Sequence, residues 1–386
     1  MIQTETRNAT LTDLMALLRE QHARKLDVVV PAVALRSIDG VIRITGTEPV
    51  LTEDGVTLAD GLYLPTSVAD GHIADRLQIP VKYLRRMRET RPDLYDANVN
   101  GWLHGRRPLM RGEEVIREAS AADARSFLGR MFKGDDTDIT GILRALLSDR
   151  YGVMDHIDVL MASLDGIKAA GVNVDIAACN LTETRMTVKV TAPEVQAYAP
   201  ELLKGYRSPF TGATGDENPT VFAGFILSNS ETGGGAFTIT PQITVQVCAN
   251  GMTITKDAMK QVHLGGRLEE GVIRWGEDTQ NKALELVQAK TRDAVSTFLD
   301  VDYVTQTITR LEEKAGEPVA QDKVRDITKA LKYTETQIDG ILGYFIAGQQ
   351  NTLGGVVNAV TAWSQTLENP DEAYDADTRV MALLGV

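Results

Sequence analysis

The sequence is poor in the residues that mark several classes of protein. It has two cysteines among 386 residues, Cys179 and Cys248, and they form no C-x-x-C pair. A disulfide framework and a thiolate zinc site are therefore not expected, and a reducing cytoplasm fits this composition. We predict that both cysteines are reduced and structural, because each lies in β-type sequence among apolar neighbours.

Long hydrophobic runs are also missing. No stretch of about 18 apolar residues occurs, as a membrane-spanning helix would need. The first residues, 1–7, lack a basic region followed by an apolar one. We expect a protein that is neither secreted nor bound in a membrane. Aromatic residues make up only 5% of the chain, which disfavours a protein that stacks many bases.

The common signatures of catalysis are absent from the sequence. It has no P-loop, no dinucleotide-binding glycine motif and no nucleophile elbow. The histidines stand singly, without the spacing of metal ligands: His22, His72, His104, His156 and His263. The acidic cluster Asp135, Asp136 and Asp138 lacks the glycine and terminal glutamate of a calcium loop, which favours a solvated loop. The sequence thus predicts no catalytic residue, no metal site and no cofactor, and a non-enzyme is favoured.

Positive charge is in deficit overall. Forty Lys and Arg stand against 53 Asp and Glu, which gives a net charge of −13. Residues 269–386 hold 11 basic and 20 acidic side chains, so most of the acidity is C-terminal. No general basic field attracts a polyanion, and any nucleic-acid site must be local.

Hydrophobic periodicity in the first part of the chain predicts a mixture of strands and helices. Residues 10–24 form an amphipathic helix capped by Thr10 or Thr12, and a small antiparallel sheet follows. Two helices begin at Ser67 and end near Pro92. The predicted strands are 28–33, 41–44 and 56–58, and further helices are predicted at 113–131 and 138–148.

The second half changes from strands to helices. A helix at 158–170 stops at Gly171, and long strands are predicted at 221–227 and 236–247. Short Gly-rich turns cannot carry parallel crossovers, so 151–268 should form an antiparallel sheet with helices on one face. Nearly all residues after Trp275 read as helical.

These patterns define an α+β protein with a central antiparallel sheet and packed helices. We predict an N-terminal α+β region with a basic helix (1–112), an α+β core with long antiparallel strands (113–276) and an acidic helical C-terminal region (277–386).

One local stretch reverses the overall charge. From Lys82 to Arg111 there are eight basic and three acidic residues. Interleaved aromatic residues make this the composition of a groove for single-stranded nucleic acid. The candidate phosphate ligands are Arg85, Arg86, Arg88, Arg106, Arg107 and Arg111, the candidate stacking residues are Tyr83 and Trp102, and Arg150 and Tyr151 are further candidates. The alternative for the basic stretch is a solvated helix face, with Trp102 in the core. The alternative for Arg150 and Tyr151 is an Asp149–Arg150 ion pair beside a packed Tyr151.

A glycine-rich turn joins the two long strands. Gly233–Gly235 could present backbone amides to a phosphate or form a flexible hairpin tip. The polar residues before it, Asn229, Ser230 and Glu231, could line a ligand cleft with Asn250 beside Cys248, or bond the turn backbone.

Several separated segments resemble a known family. They are 147–151, 224–235, 247–252 and 358–361, together with 79–83 and 98–102. In these segments the chain resembles the phage and plasmid family catalogued as domain of unknown function 932, over about residues 60–365. The resemblance implies a phage, prophage or plasmid origin and carries no established reaction. A helix, a curved antiparallel sheet and a long helix at 150–300 also resemble the core of phage single-strand annealing proteins, which assemble into rings with DNA in a basic groove.

The leading hypothesis is therefore a cytoplasmic, phage- or plasmid-type protein of DNA metabolism that binds single-stranded DNA without nucleotide hydrolysis, as a homo-oligomer, in annealing or recombination. The first alternative is an interaction protein that binds a host or phage partner through its acidic helical region. The second is an enzyme with a cleft near Asn229–Glu231.

Overall fold

A computed structural model of the chain describes residues 3–47, 50–52, 55–57, 59–134, 140–149, 151–247, 251–261 and 277–385. The predictions made for Arg150, Cys248, Asn250, His263 and the Asp135–Asp138 cluster lie outside these residues.

The first part of the chain alternates strands and helices. Its elements are β1 (Thr6–Ala9), α1 (Leu11–Arg24), β2 (Lys25–Pro31), β3 (Leu35–Ile38), β4 (Val41–Ile44), β5 (Val50–Thr52), β6 (Gly55–Thr57), β7 (Gly61–Pro65), α2 (Ser67–Leu77), α3 (Val81–Thr90), α4 (Pro92–His104), β8 (Leu109–Arg111), β9 (Glu114–Arg117), β10 (Ser126–Phe132) and β11 (Gly141–Ser148). Helix α1 is confirmed with its cap, because the Thr10 hydroxyl accepts a hydrogen bond from the Asp13 N–H at 3.1 Å. Pro92 does not end the helical part; it opens α4.

A six-stranded sheet forms the first of two bodies. Its strand order is β2-β10-β11-β7-β4-β3, and all neighbours are antiparallel except β11 and β7. Helices α2, α3 and α4 pack on one face over a core that includes Ile73, Leu84 and Tyr95. The opposite face of β10 and β11 turns toward the second body.

The prediction of helices at 113–131 and 138–148 is wrong. Residues 126–132 and 141–148 are the strands β10 and β11 in the middle of this sheet. Nearly every residue of β10 is buried, so both faces of the strand carry apolar side chains and the period of two disappears. The first sheet therefore extends beyond residue 112.

The second part of the chain begins with a helix and ends in a bundle. Its elements are α5 (His156–Ala170), β12 (Asp175–Leu181), β13 (Met186–Tyr198), α6 (Pro200–Leu203), β14 (Thr220–Asn229), β15 (Phe237–Val245), β16 (Gly251–Thr253), β17 (Met259–Gln261), α7 (Glu277–Phe298), α8 (Val301–Ala315), α9 (Lys323–Ala330), α10 (Glu335–Gly348), α11 (Leu353–Ser364) and α12 (Pro370–Val380).

A seven-stranded antiparallel sheet forms the second body. Its order is β1-β12-β13-β14-β15-β16, with β17 also paired to β15. The predicted antiparallel arrangement is confirmed for the described strands, and so is the α+β class. Strand β14 is buried along almost its whole length, so both of its faces are covered. Helices α5 and α7 pack together beside the sheet, and α12 contacts β16.

Cys179 agrees with the structural role predicted for it. It lies in β12, is 0% exposed and forms no disulfide. Burial raises the pKa of its thiol to about 11, so it stays protonated and unreactive at neutral pH.

The C-terminal helix α12 contains a buried carboxyl group. Asp377 is 6% exposed, accepts a hydrogen bond from the Ser364 hydroxyl and faces Lys189 of β13. Burial raises its pKa to about 7, although Lys189 and Ser364 oppose the shift. The folded protein therefore holds this proton in a pH range where the unfolded chain loses it.

Replacing Asp377 with Asn should remove one contribution to the dependence of stability on pH. Because the folded pKa lies above the unfolded value of about 3.9, the stability that Asp377 contributes is complete below about pH 4 and is lost as the pH rises toward 7. The melting temperature of Asp377→Asn minus that of the parent should grow across this range. Asp326→Asn, at an exposed position of α9, is the control. Parallel melting profiles for all three proteins would contradict the assignment.

Candidate functional site

The basic stretch from Lys82 to Arg111 divides into a bound part and an exposed part. Arg88 donates to the buried Asp70 through Nε at 2.8 Å, and its Nη2 lies 2.6 Å from the same oxygen. Tyr95 donates to the other oxygen of Asp70 at 3.2 Å. Arg85 donates to the carbonyl of Ser67 at 2.7 Å. These contacts tie α2, α3 and α4 together.

Two of the predicted phosphate ligands, Arg85 and Arg88, therefore have structural roles. Arg88 is neutralised by Asp70, which contradicts its predicted role as a phosphate ligand. Arg85 is half-buried and bound to a backbone carbonyl, and we remove it from the candidate site as well. Sequence composition could not separate these arginines from the others, because it does not show that Asp70 lies beneath α3.

The two predicted stacking residues are exposed. Tyr83 is 52% exposed in the first turn of α3, and Trp102 is 60% exposed in the last turn of α4. Asn98 contacts the Met87 sulfur at 3.5 Å where the two helices meet. Tyr83 precedes Met87 by one turn of α3, and Trp102 follows Asn98 by one turn of α4. Both therefore lie toward the ends of these helices that are away from Arg91, where α3 meets α4. The alternative that placed Trp102 in the core is wrong.

A two-stranded ribbon follows Trp102. Strands β8 and β9 pair in it, and an Arg106–Ser120 bridge continues in the register of the Leu109–Arg117 pair. Gly105 lets the chain leave α4, because its φ is +68° and a Cβ there would lie 2.3 Å from the Ser120 carbonyl oxygen. All residues from 106 to 122 are exposed. The ribbon therefore stands out from the first body.

The ribbon has a basic face. Successive side chains of a strand point to opposite faces, so Arg107, Leu109 and Arg111 share one face. Met110 and its cross-strand partner Val115 lie on the other face. The acidic residues Glu113 and Glu114 at the tip reduce the local positive charge without removing it.

Five cations of the stretch remain available to a ligand. They are Lys82, Arg86, Arg106, Arg107 and Arg111, and all are exposed. Within the described ranges, no ion pair joins any of them to a carboxylate. Together with Tyr83 and Trp102 they form what we call the aromatic-basic surface, spread over α3, the end of α4 and the ribbon.

A second cluster of charges lies between the two bodies and is buried. Arg130 of β10 is 0% exposed and donates to both oxygens of Asp27, its direct partner on β2, at 3.0 and 2.9 Å. It also donates to the carboxylate of Asp155 and, at 2.8 Å, to the backbone carbonyl of Glu231. Lys25 pairs with Asp155, and Arg144 pairs with Glu231. Three cations thus face three carboxylates, and we call these six residues the charge cluster.

Arg130 and Glu231 of the charge cluster are held in their ionised forms by their neighbours. Burial disfavours the charge of Arg130, but the surrounding carboxylates outweigh it and raise its pKa well above the ordinary value. Burial likewise opposes ionisation of Glu231, but His156, Arg144 and Arg130 hold the pKa of its carboxyl group well below the usual range. Burial lowers the pKa of His156 to about 4, so its ring is neutral at physiological pH and carries the charge that acts on Glu231 only under acidic conditions.

The predicted cleft near Asn229–Glu231 is closed. The Asn229 amide donates to the Met154 carbonyl and contacts the His156 ring at 3.0 Å, while the Ser230 hydroxyl donates to the Thr184 carbonyl at 2.6 Å. The cavity beside Glu231 and Arg144 measures about 10 Å³, at the lower limit for one water molecule. Among the residues that the structure describes, these side chains link the two bodies and leave no room for a substrate beside Glu231.

The glycine turn and Tyr151 also have structural roles. Ser230 Oγ accepts a hydrogen bond from the Gly234 N–H at 2.9 Å, so the turn bonds its own backbone. Tyr151 is half-buried, with its hydroxyl 3.4 Å from the Ser230 carbonyl and its ring beside Gly233. Tyr151 therefore packs near this turn, apart from the ribbon, which favours the alternative of a packed tyrosine.

Sequence reasoning missed the charge cluster. The available signal was an arginine inside the apolar run Phe127–Phe132, where a charge must have buried partners. Interpreting this run as a helix concealed that Arg130 and Phe132, two residues apart on a strand, lie on the same face.

Searches of protein-family models, of curated proteins and of solved structures find no match to this chain. None of the helices that the structure describes combines the length and apolar character that crossing a bilayer needs. Among the same residues, no group of three or more His, Cys, Asp or Glu side chains is arranged to hold a metal ion.

Proposed function

We propose that this protein binds single-stranded nucleic acid, DNA in the first place, through the aromatic-basic surface. The observation that carries the proposal is the exposure of Trp102 and Tyr83 beside cations that pair with no described carboxylate. Aromatic rings stack on bases of any sequence, and arginines follow the phosphates. A phage, prophage or plasmid origin, which the sequence resemblance implies, is compatible with a role in annealing or recombination.

The composition of the surface fits a single strand better than a duplex. An exposed indole has a base face to stack on only where bases are unstacked, whereas duplex DNA presents base edges in its grooves. Five cations on a chain of net charge −13 give a modest, local attraction to phosphates. Because this attraction is electrostatic, binding should depend strongly on salt.

The test is a titration of labelled single-stranded DNA, duplex DNA and RNA by fluorescence polarisation at two salt concentrations. We expect the single strand to bind more tightly than the duplex. Tighter binding of the duplex, or no binding of any of the three at low salt, would overturn the proposal.

The ribbon arginines should account for part of the salt dependence. Replacing Arg106 and Arg107 with Ala should weaken single-strand binding and reduce the slope of log K against log salt by about 0.7 per lost phosphate contact. The melting temperature should stay the same, because exposed side chains contribute within about 0.5 kcal/mol each to stability.

The matched control removes two other half-exposed arginines, Arg292 of α7 and Arg325 of α9. This double variant has the same change of net charge but leaves the aromatic-basic surface intact. Equal losses of affinity in the two double variants would show that net charge, and not this surface, determines binding.

A further inference from the structure

The ribbon has a third arginine on its basic face. Residues directly opposite each other in an antiparallel pair share a face, and Arg117 lies opposite Leu109. Arg117 is exposed and, in the described part of the chain, pairs with no carboxylate. It therefore joins Arg107 and Arg111 on this face. Glu114 lies opposite Arg111 at the tip, so the positive charge is greatest toward the base of the ribbon.

The other face of the ribbon is apolar and exposed. Met110 and Val115 lie opposite each other and are each 46% exposed. Pro108 precedes Met110 by two residues, so it lies on the same face, and it is exposed as well. At the base, Glu118 opposite Pro108 and Arg106 in its bridge to β9 close this face. Apolar surface on an element that stands out from the fold is typical of a binding surface.

A duplex end offers the surface that these side chains can cover. Methionine and proline are among the side chains that proteins insert between stacked bases, at the cost of opening the stack. The terminal base pair beside a single strand has one base face that is already free, so it can be covered without that cost. Trp102 and Tyr83 already provide the stacking that a single strand needs. The apolar face therefore fits a different part of the ligand.

The two faces of the ribbon begin beside a stacking residue. Gly105, with a φ of +68°, turns the chain out of α4 shortly after Trp102. The basic and apolar faces lie on opposite sides of the same two strands. Where the strands of a duplex diverge, the basic face can therefore contact the phosphates of one strand while the apolar face covers the last base pair.

We propose that the ligand of the aromatic-basic surface is a junction between a single strand and a duplex, with the apolar face of the ribbon packed on the terminal base pair. The inference rests on the proposed function and names its substrate class. The single-stranded arm runs from Trp102 along Arg107 and Arg117. Glu113 and Glu114 at the tip repel phosphates, so the tip extends past the terminal pair and does not follow the backbone.

The test is a competition against a labelled single strand, followed by fluorescence polarisation. The competitors are a duplex with a single-stranded tail, the tail alone and a blunt duplex. The tailed duplex should bind roughly tenfold more tightly than the tail alone, because the exposed parts of Met110 and Val115 become buried. A 2-aminopurine base in the terminal pair should change its fluorescence on binding, whereas the same base inside the duplex should not.

The double variant Met110→Thr/Val115→Thr should lose the preference for the tailed duplex and keep its affinity for the tail. Threonine has a high strand propensity, so the ribbon retains its pairing. The matched control is Ile38→Thr/Leu64→Thr, which changes two strand residues of the first sheet that are 38% and 42% exposed. This control should keep the preference.

Arg117→Ala separates the basic face from the apolar face. It should weaken binding of the tail and of the tailed duplex by the same factor, because both ligands place phosphates on the basic face. A loss confined to the tailed duplex would contradict the assignment of Arg117 to the single-stranded arm.

Failure of this inference differs from failure of the proposed function. If the tail alone or the blunt duplex binds as tightly as the tailed duplex, the junction is overturned, and equal binding of the tail leaves single-strand binding intact. A threonine double variant that keeps the preference, or that loses both ligands alike, also overturns it. So does a double variant that changes only the sedimentation of the protein, since its apolar face then pairs with protein. Absence of single-strand binding overturns the proposed function itself.

Discussion

Replacing Arg130 with methionine should lower the free energy of unfolding by about 3–5 kcal/mol at neutral pH. The side chain is fully buried and bonded to Asp27, Asp155 and Glu231. Methionine has a similar volume but leaves these groups without their shared cation, and a buried unpaired carboxylate is costly. Urea denaturation followed by circular dichroism measures the effect.

The loss of stability in Arg130→Met should depend on pH. In the parent, desolvation opposes ionisation of Asp155, but Arg130 and Lys25 outweigh it and lower the pKa of this carboxyl group, as neighbouring cations do for Glu231. A carboxyl group with a lowered folded pKa stabilises the protein above its unfolded pKa of about 4, and this stabilisation is lost as the pH falls. Without Arg130 the carboxyl groups take up protons more readily. The difference in the free energy of unfolding between the parent and Arg130→Met should therefore narrow from pH 7 toward pH 4.

Arg125→Met is the matched control. Arg125 lies near the start of the same strand but is about half exposed, and it pairs with Asp123. Removing such a pair costs about 1 kcal/mol or less. Equal losses for Arg125→Met and Arg130→Met, or a loss for Arg130→Met that does not change with pH, would contradict the role assigned to the charge cluster.

Trp102→Ala should weaken single-strand binding by about 1–3 kcal/mol, which is roughly a 5- to 150-fold loss of affinity, because one stacked base is given up. Its effect on folding should be small, since the indole is 60% exposed. Fluorescence polarisation and thermal melting together separate the two effects.

Two aromatic positions serve as controls for Trp102. Tyr198 is 75% exposed at the end of β13, away from the basic stretch, and Tyr198→Ala should leave binding unchanged. Trp363 of α11 is 8% exposed against Tyr333, and Trp363→Ala should cost about 3–5 kcal/mol of stability. If Trp102→Ala resembles Trp363→Ala in stability, or Tyr198→Ala in binding, Trp102 is not a stacking residue.

The sequence predicted best the elements whose pattern is local. The helix capped by Thr10, the helix stopped by Gly171 and the long strands on either side of Gly233–Gly235 each have a start or stop signal within a few residues. Strands β10 and β11 could not be predicted in this way. Their partners β2 and β7 lie far away in sequence, and their burial on both faces removes the alternation that identifies a strand.

The candidate site was predictable in composition but not in detail. Clustered arginines and aromatic residues indicated the region, and the exposure of Trp102 and Tyr83 agrees with it. Which arginines are available depends on tertiary neighbours: Arg88 lies over Asp70, whereas Arg107 is exposed on the ribbon.

The path of the chain between the two sheets makes the first body an insertion within the second. Strand β1 and helix α1 belong to the second body, where β1 pairs with β12 and Leu14, Leu17 and Leu18 join its core. The chain then leaves at Lys25, builds the six-stranded sheet and returns before Asp155, to which Lys25 is bound. Departure and return are therefore neighbours in space. A fragment that begins at residue 151 would lack β1, an edge strand of the second body, and the part of its core that α1 supplies. The segment from 25 to 149, in contrast, begins and ends at one place on the second body.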